Sequence, residues 1–130
     1  MKYRLLDLLA CPIDKHFPLE LIVLEETKPR EEKEQNKPLC EKYCGFHGKM
    51  VEELDPESLA KDCAQCLSKE IVKGVLRCPE CGRWFPIIEE IPHMLPDELR
   101  DSKEDIAFLQ ENQDKLPDEI KLHGKPFNLA

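Results

Sequence analysis

The sequence predicts a small α+β protein, with a ribbon-like antiparallel sheet, a short N-terminal helix and an inserted, partly helical subdomain that contains cysteines. Three observations predict this class. The chain has 130 residues, the length of one domain. Its seven cysteines occur mostly as close pairs. Two ribbon-like stretches, 1–25 and 74–97, are separated by a polar segment and a cysteine-containing insert at 39–73. The remaining residues, 98–130, predict a helix and a flexible tail.

Composition and charge restrict the function. Hydrophobic residues make up 41% of the chain, aromatic residues 6% and charged residues 35%, so the core is modest and needs disulfides or a metal to support it. An odd number of cysteines favours metal ligands over a disulfide framework. The net charge of −8 lacks the basic footprint of a protein that binds nucleic acid through its own surface. A protein partner is therefore favoured.

The first residues do not have the pattern of a signal peptide, because their apolar run is short and Asp7 interrupts it. No stretch approaches the roughly 20 apolar residues that cross a membrane. We therefore expect a cytoplasmic protein without a membrane partner, in a compartment where thiols stay reduced.

The first ribbon half predicts a helix and a strand. Residues 2–10 place four apolar side chains on one helical face (Tyr3, Leu5, Leu6 and Leu9), and Cys11-Pro12 ends the helix. Residues 18–25 predict a strand, with one face formed by Leu19, Leu21 and Val23. Residues 26–38 are almost wholly polar and predict a solvated linker.

The later elements follow from local signals. In the insert, Asp55-Pro56 predicts the start of a short helix, with Asp55 as the N-cap. Strands are expected at 75–77 and 84–88, on either side of a cysteine-containing turn. A further helix is expected from Ser102, and the segment after residue 113 shows little periodicity.

The sharpest motif is Cys78-Pro79-Glu80-Cys81-Gly82. Two thiolates at this spacing can face one ion, and the glycine permits the positive φ of such a turn. Cys11 begins a similar turn, in which Asp14 replaces the second cysteine. Because carboxylate oxygen can bind zinc, we predict a tetrahedral zinc site with the ligands Cys11, Asp14, Cys78 and Cys81. The alternatives are His16 as the fourth ligand, or buried reduced thiols without a metal.

The insert contains a second set of cysteines with the spacing of zinc ribbons and treble clefs: Cys40, Cys44, Cys63 and Cys66. We predict a second structural zinc there. Free thiols or one disulfide per pair are the alternatives, and His47 can replace one thiol. Both predicted sites are closed, with four protein ligands and no position for water, which is typical of structural and not catalytic zinc. The sequence has no other catalytic motif, so we predict no enzyme activity.

Four segments together resemble a known family: LLACP, FPLEL, CPECGRWFPI and IPHML. They lie within residues 1–25 and 74–97, and they resemble the multifunctional methyltransferase subunit family. Its members are zinc-ribbon activators shared by tRNA and translation release-factor methyltransferases. Two features depart from the family pattern: Asp14 stands where many relatives have cysteine, and the four cysteines of the insert do not belong to the pattern.

The resemblance implies a non-catalytic subunit that forms a heterodimer with a class I methyltransferase, an enzyme that binds S-adenosylmethionine. In the family, the ribbon lays an edge strand against the enzyme's sheet, keeps the enzyme soluble and improves its cofactor binding. Contact with tRNA would then be indirect, through the complex.

The apolar run at 85–95 is the expected partner surface, because so small a core cannot cover all of it. The expected contacts are Phe85, Ile87, Ile88, Ile91, Pro92, Met94 and Leu95. Of these we expect Phe85 and Ile87 also to close the ribbon's own core. The alternative function is a zinc-ribbon module that binds nucleic acid in transcription or translation, for which three basic residues lie near the turns (Lys15, Arg77 and Arg83).

Overall fold

A computed structural model describes residues 1–29, 32 and 37–130. Within these residues the α+β class is confirmed. The strands are β1 (Glu20–Glu26), β2 (Tyr43–Cys44), β3 (Lys49–Met50), β4 (Ile71–Arg77), β5 (Trp84–Ile88) and β6 (Ile91–Pro92). The α-helices are α1 (Pro56–Leu67), α2 (Ser102–Glu111) and α3 (Asp118–Lys121), and short 3-10 helices lie at Tyr3–Asp7, Val51–Glu53 and Asp97–Leu99. Part of the predicted linker (30, 31 and 33–36) lies outside the described residues.

The main sheet is antiparallel, in the order β1-β4-β5-β6, and one hydrophobic core lies on each of its faces. Leu21 of β1 pairs with Leu76 of β4, which pairs with Phe85 of β5. Because side chains alternate across a strand, this row points to one face and the next row, Ile22 and Val75, points to the other. Strands covered on both faces need apolar residues at successive positions, which explains the runs in β4 and β5.

The first face packs against the N-terminus and the insert. The apolar core there consists of Met1, Tyr3, Leu6, Cys11, Leu19, Cys66, Ile71, Leu76, Cys78, Phe85 and Ile87. The predicted N-terminal helix is a 3-10 helix, and its Tyr3 and Leu6 are buried. The prediction for β1 holds for Leu19 and Leu21, which lie in or against this core, whereas Val23 is 38% exposed.

The second face is covered by the C-terminal segment, which differs from the expected flexible tail. Trp84 of β5 stacks on Phe108 of α2 and donates its indole N–H to the Phe127 carbonyl at 2.9 Å. Leu116 and Ile120 are buried in the same core. These contacts join residues up to 43 positions apart, so no local pattern in the tail reveals them. The predicted start of α2 at Ser102 is confirmed.

The insert consists of the β2–β3 hairpin and α1. Asp55 accepts a hydrogen bond from the Ser58 N–H and caps α1, which confirms the predicted helix start. A small core forms between the hairpin and α1 from Cys44, Leu59 and Cys63. No helix in the described part of the chain has both the length and the apolar character that a membrane span requires.

Asp7 attaches the insert to the ribbon. Its carboxylate accepts hydrogen bonds from three successive backbone N–H groups, those of Glu41, Lys42 and Tyr43, at 2.8–3.0 Å. Partial burial raises the pKa of Asp7, but these three hydrogen bonds outweigh it and hold the pKa below its ordinary value. The charged form of Asp7 is therefore the one that the fold stabilises.

We expect Asp7→Ala to lower the free energy of unfolding by about 1–2 kcal/mol at neutral pH, because three N–H groups lose a charged acceptor. Since the pKa is lower in the folded state, this contribution is present above the unfolded-state pKa and is lost as pH falls through the folded-state value. Urea unfolding at several pH values measures it. Asp114→Ala, at an exposed acid, is the control. Equal losses at neutral and acidic pH would contradict this role of Asp7.

Candidate metal centre

Two turns from distant parts of the sequence, residues 11–15 and 78–82, have the same backbone geometry. We call them the metal turns, because they contain the four predicted ligands of the first site. The Lys15 N–H donates to the Cys11 carbonyl, and the Gly82 N–H donates to the Cys78 carbonyl, both at 2.9 Å. The residue that closes each turn has positive φ, +66° at Lys15 and +78° at Gly82. Within each turn, the backbone N–H groups two and three positions after the cysteine donate to its thiol. Such N–H donors stabilise a thiolate, so both turns are shaped to present a charged sulfur.

The fold brings the four predicted ligands of the first site together. The ligand atoms of Cys11, Asp14, Cys78 and Cys81 all lie within 4.8 Å of one another. The sulfur atoms of Cys11 and Cys81 are 3.8 Å apart, and both carboxylate oxygens of Asp14 are 3.5 Å from the Cys78 sulfur.

These distances fit zinc. Zn–S bonds of about 2.3 Å at a tetrahedral angle place two sulfur atoms about 3.8 Å apart, and a Zn–O bond of about 2.1 Å places sulfur and oxygen about 3.6 Å apart. Three thiolates and one carboxylate are also ligands that zinc accepts. The cluster can therefore hold a metal ion, and its donor set is consistent with zinc. His16, the alternative fourth ligand, is outside the cluster.

His16 instead positions Asp14 through its backbone. Its N–H donates to Asp14 Oδ1 at 3.0 Å, and its carbonyl accepts from the Cys11 N–H at 2.9 Å. The first of these hydrogen bonds is the main reason that the pKa of the Asp14 carboxyl lies below its ordinary value. Asp14 is therefore held as a carboxylate at the rim of the cluster, with two fully buried cysteines, Cys11 and Cys78, behind it.

The protein balances the charge of this site only in part. Burial raises the pKa of the Cys11 thiol, and it raises that of Cys78 to about 12. At Cys81 burial acts in the same direction, but hydrogen bonds from the Arg83 backbone and side chain prevail and lower the pKa. Several thiolates buried together are costly without a cation, so a divalent metal is the natural counterion.

Arg83 also belongs to the site, because it donates hydrogen bonds to Cys81, and the sequence did not reveal this role. Its guanidinium donates to both carboxylate oxygens of Asp97 at 2.9 Å, which fixes its direction toward Cys81. Partners of this kind orient metal ligands and tune them. The bidentate pair joins the metal turn to the 3-10 helix Asp97–Leu99, and nothing in the local motif indicates it.

In the second predicted site the ligand atoms are farther apart than in the first. The thiols of Cys40, Cys44, Cys63 and Cys66 line one small pocket together with His47. Burial is the main reason that the pKa of the Cys66 thiol is raised. The negative charges of Cys44, Cys40 and Cys63, when ionised, raise this pKa further. These sulfur atoms do not form a group within 4.8 Å of one another, as the first four ligands do.

The expected partner residues divide by burial. Phe85 and Ile87 are fully buried, so they form core and have no surface left for a partner contact. Pro92 and Met94 are partly buried, and Met94 packs against the first core. Three residues are exposed: Ile88 at 38%, Ile91 at 61% and Leu95 at 39%.

We expect Asp14→Cys to raise zinc affinity and Asp14→Ala to lower it. A fourth thiolate is a softer, stronger ligand, whereas alanine leaves three. Each change is expected to be at least about tenfold, because even outer partners of ligands change metal affinity by about 10–100-fold. Competition with a chromogenic chelator measures the affinities. His16→Ala is the matched control and should change little, because His16 acts through its backbone. Equal affinities for all these variants would exclude Asp14 as a ligand.

The chain matches the model of a known protein family. The family model described as "Trm112p: Trm112p-like protein" matches residues 2–90, well over half of the chain. The matched region includes both metal turns, the insert and β5, and it ends in the β5–β6 turn.

Proposed function

We propose a function from an established premise: the chain belongs to the Trm112p-like family, whose members are small activator subunits of methyltransferases. Our proposal is that this chain is a non-catalytic subunit of S-adenosylmethionine-dependent methyltransferases that act on tRNA, on translation release factor, or on both. It binds class I catalytic subunits in the cytoplasm as a heterodimer and contacts tRNA only through the complex.

One observation carries the proposal: an exposed apolar patch at the β5–β6 hairpin, formed by Ile88 and Ile91. Ile88 and Ile91 are register partners, so their side chains lie on the same face of the hairpin. An exposed apolar patch at a sheet edge is a common feature of protein interfaces.

The position of β6 favours docking by strand addition. The sheet ends at β1 on one side and at β6 on the other. The β1 edge contains three exposed glutamates (Glu20, Glu25 and Glu26), which discourage pairing with another strand. The β6 edge lies beside the apolar patch instead. A partner strand there would bury the isoleucines and gain backbone hydrogen bonds, except at Pro92, which has no N–H to donate.

Two exposed acids indicate the character of the partner's surface. Glu89 and Glu90 form the turn between Ile88 and Ile91, with φ of +49° and +70°. An apolar patch next to two carboxylates fits a partner surface with an apolar centre and basic groups at its rim. The methyltransferase would present such a surface next to its sheet edge.

The zinc would have a structural role in this subunit. Four protein ligands occupy a tetrahedral site and leave no position for a substrate or a catalytic water. Zinc at Cys11, Asp14, Cys78 and Cys81 would fix the turn that precedes β1 to the β4–β5 turn and so keep the docking edge in place.

The alternative, a nucleic-acid module, gains little support from the three basic residues near the metal turns. Arg77 pairs with Glu20 at 3.0 Å, and Arg83 pairs with Asp97. Lys15 donates to the Pro12 carbonyl at 3.2 Å. Arginines that are engaged with carboxylates are poor candidates for phosphate contacts.

An affinity pull-down from lysate of the source organism, with mass spectrometry, tests the proposal. We expect one or more class I methyltransferases at near-equal stoichiometry with the bait. Recovery of ribosomal or RNA polymerase components without any methyltransferase would contradict the proposal and favour the nucleic-acid module. Salt-dependent binding of RNA by the isolated chain would favour the same alternative.

A further inference from the structure

A third turn in the insert repeats the geometry of the two metal turns. The Gly48 N–H donates to the Cys44 carbonyl at 2.8 Å, and Gly48 has φ of +66°. The N–H groups of Phe46 and His47, two and three positions after Cys44, donate to its thiol. The corresponding position to His47 is Asp14 in the first turn and Cys81 in the second, and both of these belong to the first cluster.

Helix α1 places two more thiols against this turn. Cys63 and Cys66 are three residues apart, so they share one face of the helix. Both are buried, and both line the pocket that Cys40, Cys44 and His47 also line. A cysteine turn that faces a helix with two cysteines is an arrangement that structural zinc sites use.

His47 has the partner that a metal-binding histidine usually has. Its Nε2 lies 2.9 Å from a carboxylate oxygen of Asp62, the residue before Cys63. A ring nitrogen that donates to a carboxylate leaves the other nitrogen, Nδ1, as the one with a free lone pair. The fourth ligand can therefore come from either of two side chains at this pocket, the Cys40 thiolate or the His47 imidazole.

We propose that the insert binds a second zinc ion, with the thiolates of Cys44, Cys63 and Cys66 as three ligands and Cys40 or His47 as the fourth. Soft thiolates with imidazole select zinc among the abundant divalent metals. Since the thiols are further apart here than in the first cluster, binding requires the side chains of α1 and the turn to move toward one point.

The small core of the insert gives such an ion a clear role. Among the described residues, only Cys44, Leu59 and Cys63 are buried there, and the residues packed against them are only partly buried: Leu39, Phe46, Val51 and Leu54. A core of this size is usually supported by a staple. A zinc ion would join the turn directly to α1. This inference is independent of the partner enzyme, because it concerns only the chain's own metal content.

Zinc per chain, measured by plasma mass spectrometry on the purified full-length protein, tests the inference. We expect two zinc ions in the wild type and one in Cys63→Ser and in Cys66→Ser. The matched variant Lys61→Ser, at an exposed position of α1 that belongs to neither site, should keep two. Circular dichroism of each variant checks that the ribbon remains folded. One zinc in the wild type, with the same value in Cys63→Ser, would overturn the inference.

Cobalt substitution of the wild-type protein gives a second readout, which does not depend on how any variant folds. The wild-type protein should take up two cobalt ions, and the second should add thiolate-to-cobalt charge-transfer absorption. Cys40→Ser and His47→Ala then identify the fourth ligand, because only the true ligand's variant should lose tight binding at this site. Uptake of a single ion by the wild type would again contradict the inference.

Discussion

Cys78→Ser is expected to release the metal from the first cluster and to abolish the cooperative fold of the ribbon. Structural zinc sites contribute about 10–16 kcal/mol of apparent binding free energy at pH 7, whereas a whole domain is stable by only about 5–15 kcal/mol. Cys78 is fully buried between β4 and β5, so serine leaves an unpaired polar group there as well. Loss of the zinc alone is therefore enough to unfold a core of this size.

The position of the cluster in the chain increases the effect. The ligands Cys11 and Cys81 are 70 residues apart, so the zinc closes a long loop that includes the insert. Closing a long loop removes more conformational freedom from the unfolded chain than closing a short one.

Zinc content and thermal unfolding followed by circular dichroism measure this prediction. Leu76→Ala is the matched control, because it opens a cavity in the same core but keeps every ligand. That variant should lose about 2–5 kcal/mol of stability and keep its zinc. Added zinc, but not magnesium, should restore the wild-type protein after treatment with a chelator. A Cys78→Ser protein with wild-type zinc content and an unchanged unfolding temperature would contradict the assignment of this site.

The double variant Ile88→Glu/Ile91→Glu is expected to reduce methyltransferase binding by at least about 100-fold, or 2.7 kcal/mol. Two carboxylates would then face a surface that buries apolar side chains, where unpaired charges are costly. Because both isoleucines are exposed in the free chain, the fold and the zinc content should not change. Surface plasmon resonance with the recovered methyltransferase measures the affinity.

Leu99→Glu is the matched control for this prediction. Leu99 is 65% exposed and lies outside the hairpin, so the same charge there should leave binding within a few-fold of the wild type. Met94 is a poor test position, because it packs against the first core and its substitution threatens folding. Full binding by the double variant, or equal loss with Leu99→Glu, would exclude the proposed surface.

The first metal cluster could be predicted because each of its two turns is recognisable from a few neighbouring residues. Cys78, Cys81 and Gly82 define one turn by spacing alone, and the similar turn at Cys11 identified Asp14 as its counterpart. The start of α1 was predictable for the same reason, since an Asp-Pro pair specifies a helix N-terminus within two residues.

The contributions of Arg83 and of the C-terminal segment could not be predicted in this way. Arg83 depends on Asp97, 14 residues later, and the tail is ordered by Trp84 across 43 residues. Tertiary contacts of this kind have no periodicity to read in one sequence. The turn at Cys44 is different, because the spacing Cys44-Gly45-Phe46-His47-Gly48 is present in the sequence. This spacing matches Cys78-Pro79-Glu80-Cys81-Gly82, so the turn at Cys44 was predictable from the sequence.

The division of residues 85–95 into buried core residues and exposed residues was also partly predictable. Phe85 and Ile87 alternate along β5 and were expected to close the core, and both are buried. The tight turn at Glu89 and Glu90 then returns the chain, so that Ile91 lies opposite Ile88. Both residues of this two-residue loop have positive φ, a conformation for which asparagine, aspartate and glycine are the usual residues. Because glutamate is uncommon there, the sequence did not indicate where this hairpin turns.

The affinity of the partner methyltransferase for S-adenosylmethionine, with and without this chain, tests the central claim most directly. Isothermal titration calorimetry on the isolated enzyme and on the reconstituted heterodimer gives both values. We predict tighter cofactor binding in the heterodimer, with the gain lost when the chain has the Ile88→Glu/Ile91→Glu substitutions. Equal cofactor affinity and equal methyl transfer with and without the chain would contradict an activating role.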